Sequence, residues 1–257
     1  MPDGKEWNQI MELYKGFASI YDELMTNTPY EKWGRYIDDT LQKRLSHNKE
    51  TPLVLDLACG TGSMTMFLAK KGYDMIGVDA SIDMLASAQQ KSFDTGHNIL
   101  FLAQDMRRLD LYGTIDAAVC VCDGINYILT PEELNAVFKR VRLFLNPGGL
   151  FIFDMNTEYK FKELLGQRSF ESKSKSGTAY ELDNSYNEST KINEYHVLFH
   201  PKGEASFTEI HKQRAYATND VLSMLADAGF SNVSANHEYT DEPPKPESER
   251  ITYVAEA

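Results

Sequence analysis

The sequence predicts an α/β protein built on a doubly wound, mainly parallel sheet. Three observations carry that expectation. From Leu53 onward, short apolar runs alternate with amphipathic helical runs. The first of them, VLDLACGTGS (Val54 to Ser63), breaks into glycine where a strand would meet a helix. After Asn156 the rhythm changes to polar text with period-two alternation and no long helix.

The elements follow in order. Residues from about Trp7 to Leu45 read as two helices, with Leu13, Phe17, Ile20, Tyr21 and Leu24 on one face. After the NTPY turn, Tyr30, Trp33, Ile37 and Leu41 repeat that spacing. Leu53 to Leu57 is a strand, and Thr61 to Lys71 a helix that turns Met64, Phe67 and Leu68 inward. Asp74 to Val78 is the second strand. Ser81 caps the helix carrying Met84, Leu85 and Ala88. Ile99 to Ala103 and Ile115 to Val121 are strands. In TPEELNAVFKRVRLFL, Thr130 is the cap, Pro131 the first helical residue and Glu133 the third. The glycines of NPGG end that helix, and Leu150 to Asp154 is a fifth strand. KINEYHVLFHPKGEASFTEIHKQRAY reads as a hairpin turning at PKGE. A helix returns at TNDVLSMLADAGF, followed by strands over Asn232 to Tyr239 and Glu249 to Ala257. This divides the chain into a helical cap (1–50), a core (51–156 and 217–257) and an antiparallel β insertion (157–216).

The whole chain narrows the classes. Its 257 residues contain no run of eighteen apolar residues, so no membrane span is expected. The opening MPDGKEWNQI lacks the apolar stretch of a secretory signal, which points to the cytoplasm. Cys59, Cys120 and Cys122 have no CxxC spacing and read as packed or loop thiols, with no disulfide framework and no metal site. A net charge of -12, with no basic patch, would repel DNA or RNA. Oligomeric state is not written in the sequence.

The glycine loop is not a dinucleotide loop, because Thr65 stands where G-x-G-x-x-G needs its third glycine. Nor is it a P-loop, which needs G-x-x-x-x-G-K-S/T. It reads as D-x-A-x-G-x-G: Asp56, Ala58, Gly60, Gly62. Small residues there let backbone pass close to a ligand. Asp79, 19 residues after Gly60, ends the next strand, where a carboxylate suits a ribose diol.

VLDLACGTG, GVDASIDML, FLAQDMRRL and IDAAVCVCDGINYIL, in that order, resemble the successive motifs of class I S-adenosylmethionine-dependent methyltransferases. FASIYDELM, PYEKW and EIHKQRAY are similar to segments of the bacterial YqeM-type group. More distantly, the chain resembles the dTDP-amino-sugar N,N-dimethyltransferases. The resemblance implies a Rossmann-like sheet of about seven strands, the last antiparallel. It implies that the backbone from Ala58 through Cys59 to Gly60 passes under the methionine part of S-adenosylmethionine, with Asp56 toward its ammonium and Gly62 also at the cofactor. Asp79 would take the ribose hydroxyls, and Ala80 and Met84 would line the adenine. Asp105 would accept from the adenine amine beside Gln104 and Met106, and Cys122 and Asp123 would border the reacting methyl. The N-terminal helices would close over the cofactor, making Tyr21 and Trp33 candidate contacts.

Each residue has a plainer reading. Asp56 can cap a turn, Met84 can be core, and the aromatics can be ordinary helix faces. His196 and His200 share a strand face but lie roughly 13 Å apart, too far to hold one metal ion. Glu209, His211 and Gln213 also share a face. Either that face is solvated, or Glu209 orients His211 and raises its basicity as a general base, beside Tyr127. The expected activity is methyl transfer to a nitrogen or oxygen of a small molecule. The alternatives are an RNA or protein acceptor, a nucleotide-cofactor oxidoreductase, or a protein that binds the cofactor without chemistry.

Overall fold

The computed structural model describes residues 18–45, 51–174, 177–203 and 205–257. The parts of the expected cap at 1–17 and 46–50, including Leu13 and Phe17, lie outside the described residues. Among the described residues two helices come first, α1 (Ala18–Leu24) and α2 (Tyr30–Arg44). The alternating core follows: β1 (Leu53–Leu57), α3 (Ser63–Lys70), β2 (Asp74–Asp79), α4 (Ile82–Thr95), β3 (Leu100–Ala103), β4 (Ile115–Cys120), α5 (Pro131–Phe144) and β5 (Leu145–Asn156). Strands β6 (Ser169–Lys173), β7 (Ala179–Asn187), β8 (Ile192–His200) and β9 (Phe207–Arg214) interrupt it. Helix α6 (Thr218–Asp227), β10 (Ser231–His237) and β11 (Arg250–Glu256) complete it.

The expected fold is found. The main sheet has seven strands in the order β3-β2-β1-β4-β5-β11-β10, and β11 runs antiparallel to both its neighbours. The interrupting strands form their own antiparallel sheet, β6-β7-β8-β9. The local signals act as read. Ser81 Oγ accepts from Met84 N at 3.3 Å, and Thr130 Oγ1 from Glu133 N at 3.3 Å. Most ends move by one or two residues, β6 and β7 add to the expected hairpin, and the fifth strand differs most. The fifth strand starts at Leu145, directly after α5, and NPGG lies inside it as an irregularity where Leu145 pairs with Ile115 and Leu150 with Ala117. Glycine is required there. A Cβ on Gly149 would come within 2.8 Å of the Asn146 carbonyl, and Gly148 has φ 75°.

The sheet is filled on both faces. Phe138 of α5 meets Phe151 and Phe153, and Phe153 stacks on Tyr253 of β11 at 4.8 Å. All four are fully buried, each stabilising by roughly 1.5–3 kcal/mol. On the other face, Ile37 and Leu41 of α2 pack with Val54, Leu68, Val119 and Ile152. Helix α1 is held differently. Ala18, Ile20, Tyr21 and Leu24 pack between Met84 of α4 and Val197, Phe199 and Tyr195 of the second sheet. The two sheets therefore meet across α1, above the carboxyl ends of β1 and β4.

Candidate active site

The loop after β1 is shaped by three residues with positive φ: Ala58 (57°), Gly60 (54°) and Gly62 (77°). Glycine accepts that conformation freely; alanine accepts it at roughly 1–2 kcal/mol. A Cβ on Gly60 would project into open space, so the backbone at Gly60 is bare on its outer side. Gly62 serves packing, since a Cβ there would lie 3.0 Å from Ala88 Cβ. Cys59 N donates to Val78 O at 3.0 Å, tying the loop to β2, and the buried Cys59 thiol is pushed up by burial.

Asp79 organises this half. Its carboxylate accepts from Gly60 N and from Ser81 N, each at 2.8 Å. Burial raises its pKa against these bonds and a further one from Ala80 N. A carboxylate offers about four lone-pair sites, so room remains for a further donor. Ala80 beside it is partly exposed, as is Met106. Asp56 is 1% exposed. One oxygen accepts from Thr65 Oγ1 at 2.5 Å, and the other, Oδ1, is buried with no hydrogen-bond partner. Burial pushes its pKa up to about 7. An orphaned acceptor beneath a bare glycine backbone fits a ligand with a cationic donor.

Other expected contacts are already engaged. Gln104 folds back on its own loop, its amide bonded to Asp110 N and O at 2.9 and 3.0 Å. Asp105 takes four contacts from Arg107, one from the backbone and three from the guanidinium, which fill its two oxygens. An adenine amine would reach it only where Arg107 yields one. Met84, 2% exposed, is closed in the core around α1. Trp33, 8% exposed, stacks on Tyr239 at 4.9 Å, with the Arg250 guanidinium 5.0 Å from its ring. Both side chains sit as packing. Tyr21 is half-buried; its hydroxyl hydrogen-bonds Tyr30 and lies in the electrostatic reach of Cys122 and Tyr127.

The end of β4 forms the second half. Cys122 (φ 57°) and Asp123 (φ 54°) are consecutive left-handed residues, each costing roughly 1–2 kcal/mol. The fully buried Asp154 of β5 holds them, accepting from Cys122 N at 3.1 Å and Asp123 N at 2.6 Å. Arg250 bridges Asp154 (2.6 Å) and Asp123 (2.7 Å), and the Tyr239 hydroxyl donates to Asp154. Arg250 can reach because β11 is reversed, so its first residue pairs with Asn156 at the carboxyl edge. The Cys122 thiol contacts Tyr30 Oη at 3.3 Å, and burial pushes the thiol up.

The insertion closes over that turn. Glu209, His211 and Gln213 are 6%, 5% and 1% exposed, while Ile210 between them is 46% exposed. The polar face of β9 therefore points inward, and the solvated-face reading is excluded. His211 Nδ1 and Tyr127 Oη share a hydrogen bond at 3.3 Å. The expected rise in His211 basicity is overturned: burial lowers its pKa to about 4, so the ring is neutral at pH 7. Gln213 donates to Asp123, and Asn126 donates to Asn156 O (3.1 Å) and Arg214 O (2.8 Å), at either stem of the insertion. Helix α1 is tied down by Asp22, which accepts from Thr61 of the glycine loop and pairs with Lys91 of α4, both at 2.6 Å. His196 and His200 bond separately, to Glu194 and to Ser206 and Glu181, and among the described residues no cluster could hold a metal ion.

Sequence reasoning did not single out Asp154, Arg250, Tyr239, Asn126 or Asp22. Only Asp154 left a signal, an acid closing the apolar run LFIFD, as Asp79 closes MIGVD.

Residues 54–149 match the methyltransferase-domain family. The chain is 36% identical over 249 residues to "Putative methyltransferase YqeM" of Bacillus subtilis, covering 95% of this chain and 97% of that one. A crystal structure of an S-adenosylmethionine-dependent methyltransferase from Clostridium acetobutylicum superposes with a TM-score of 0.84 at 30% identity, covering 95% and 98% of the two chains. Over 110 residues, 42% of this chain and 44% of the other, it is 33% identical to a dTDP-3-amino-3,4,6-trideoxy-alpha-D-glucopyranose N,N-dimethyltransferase of Streptomyces venezuelae. A bare glycine loop, an acid at the end of β2 and likeness over nearly the whole chain converge on one assignment: the chain belongs to the S-adenosylmethionine-dependent methyltransferases, closely related to the YqeM group.

Proposed function

We propose that the protein transfers a methyl group to a nitrogen or oxygen of a small polar molecule held between the turn after β4 and the insertion. The observation that carries this reading is the inward face of β9. Its three polar side chains are each 6% exposed or less, and two of them reach the turn after β4, His211 through Tyr127 and Gln213 through Asp123. The methyltransferase relative from Streptomyces venezuelae, named for an amino-sugar acceptor, supports a small-molecule acceptor. The net charge of -12 works against a nucleic-acid acceptor.

When bound, S-adenosylmethionine supplies a methyl group already activated by its sulfonium. The chain's task is then placement, which can lower a barrier by roughly 7–11 kcal/mol. In this reading Asp79 takes the ribose hydroxyls, and Asp56 Oδ1 meets the ammonium. The backbone from Ala58 to Gly60 passes beneath the methionine part, and Tyr21 on α1 lies across it as part of a lid. Ala80, Gln104 and Met106 border the adenine; Asp105 joins them by giving up an Arg107 contact. Trp33 and Met84 act through packing.

On the reaction side, Tyr127 fixes the His211 ring, and the neutral imidazole accepts a hydrogen bond from the acceptor's N–H or O–H. With a pKa of about 4 it holds a proton weakly, so its part is orientation together with brief proton relay. Glu209 lines the same face. The test is methyl transfer from radiolabelled S-adenosylmethionine to a deproteinised small-molecule extract, to RNA and to unfolded protein in parallel. Label in the small-molecule fraction is expected; label in RNA or protein alone would overturn the acceptor class.

A further inference from the structure

Several side chains around the end of β4 have no assigned part in methyl transfer, yet their hydrogen bonds have one consistent direction. Lys160 carries only donors, so the Asn156 oxygen at 3.0 Å must face it. The Asn156 amide nitrogen then faces Gln213 Oε1 at 3.4 Å, where the Tyr195 hydroxyl also donates at 2.7 Å. The Gln213 nitrogen is thereby aimed at Asp123 Oδ2. Arg250, also donor-only, takes Asp123 Oδ1 and Asp154 Oδ1. With a cation at each end, neither amide can flip without losing bonds at both of its ends.

That chain converges on the two left-handed residues whose amides Asp154 accepts. The turn also abuts the glycine loop: a Cβ on Gly124 would lie 3.0 Å from Ala58 Cβ. The turn and the loop are therefore neighbouring walls of one site. Asp123, with its side chain 20% exposed against 9% for Arg250 and 0% for Asp154, is the open end of the cluster.

We propose that Gln213 and Asp154 are positioning residues that act through Asp123 and Cys122, holding the turn after β4 in the shape that forms the wall beside the methyl donor. The inference rests on the placement of the cofactor given above. Gln213 belongs to the insertion, so the roof over the acceptor and the wall beside the donor are set together.

The test needs no acceptor. Affinities for S-adenosylmethionine and S-adenosylhomocysteine are measured by calorimetry on the full chain and on the variants Gln213→Met, Gln213→Glu and Asp154→Asn. The two ligands differ by the methyl that the wall would touch. In Gln213→Met the ratio of the two dissociation constants is expected to change by about threefold or more, while the homocysteine product binds within about twofold of the parent. Amide exchange at Cys122 and Asp123 should quicken about tenfold without a matching fall in thermal midpoint. Gln213→Glu preserves shape but opposes Asp123 with a carboxylate, so it should change the ratio more than Gln213→Met; a purely packing role would reverse that order. If Asp154→Asn fails to fold, the Gln213 pair decides. Both ligands binding with an unchanged ratio and unchanged exchange in the Gln213 variants would overturn the inference and leave the cofactor assignment intact. Binding of neither ligand by the parent chain would overturn the cofactor placement, and the inference with it.

Discussion

The two halves of the site are built over different distances along the chain. On the cofactor side, Asp79 bonds residues 2 and 19 positions away, and Asp56 bonds one 9 positions away. On the reaction side, Tyr127 meets His211 across 84 positions, Gln213 meets Asp123 across 90 and Arg250 meets Asp123 across 127. The first half is one continuous β-loop-α-β passage whose geometry is set by local turns. The second exists only once the reversed β11 and the insertion have docked. A change in the reaction half should therefore leave S-adenosylhomocysteine affinity largely undisturbed, its effect falling on the methyl that only S-adenosylmethionine carries.

The hardest test of that division is Asp79→Ala. In the proposed placement it would remove two hydrogen bonds offered to the ribose by a charged acceptor, each worth roughly 1.5–3 kcal/mol. Affinity for S-adenosylhomocysteine should fall by roughly 10²–10⁴-fold by calorimetry. His211→Ala should leave it within about threefold. Equal losses in the two variants would break the division.

The second test is the pH dependence of the apo protein. His211 has its pKa lowered to about 4, so between about pH 4 and 6.5 the unfolded chain binds the extra proton and stability rises with pH. Asp56 has its pKa raised to about 7, so between about pH 4 and 7 the native state binds the extra proton and stability falls as pH rises. Each effect is worth about 3–4 kcal/mol and the two oppose each other. Because the two nearly cancel, the parent's urea midpoint should change little from these groups between about pH 4.5 and 7; relative to it, Asp56→Asn should add a rise with pH and His211→Phe a fall. Parallel profiles in all three proteins would show that neither group titrates as its surroundings require. At pH 7, cofactor binding should also release a fraction of a proton from Asp56, read by calorimetry in buffers of differing ionisation enthalpy.

Smaller effects sharpen the comparison at its boundary. Asp22 ties α1 to both the glycine loop and α4, but its side chain is 42% exposed, so Asp22→Asn should cost about 1 kcal/mol or less. Amide exchange in α1 should quicken selectively, and cofactor should dissociate faster. Ala58→Gly should have the least effect. Relief of left-handed strain is offset by the freedom glycine adds to the unfolded chain, leaving a net change under about 1 kcal/mol in denaturant unfolding.

This difference in span also explains what could be read beforehand. Ser81, Thr130 and Pro131 act on their own helix ends, so caps and helix starts were legible. Asp56, Gly60 and Asp79 sit in an ordered series of short motifs, so the family and its glycine loop were legible too. The inward face of β9 was visible as Glu209, His211 and Gln213 in alternation, but alternation alone does not say which face is buried. The structure settles it: Ile210, between them, is the exposed residue. The low basicity of His211 follows from the depth of that burial, which alternation does not report. Arg250 and Tyr239 were invisible because their partners lie on strands joined only by the sheet order.

Asn126 ties the residue where the insertion leaves the core, Asn156, to the one just before it returns, Arg214. The insertion is thus a graft with a narrow seam. Its stems are clamped by one buried amide, and its inner face meets the host through Tyr127 and Asp123. A chimaera that exchanged residues 157–214 with those of a relative would need to carry the matching residues at 123, 126 and 127. With that short stretch included, a foreign roof could register on this donor half. Without it, the new roof would close over a turn that no longer recognises it.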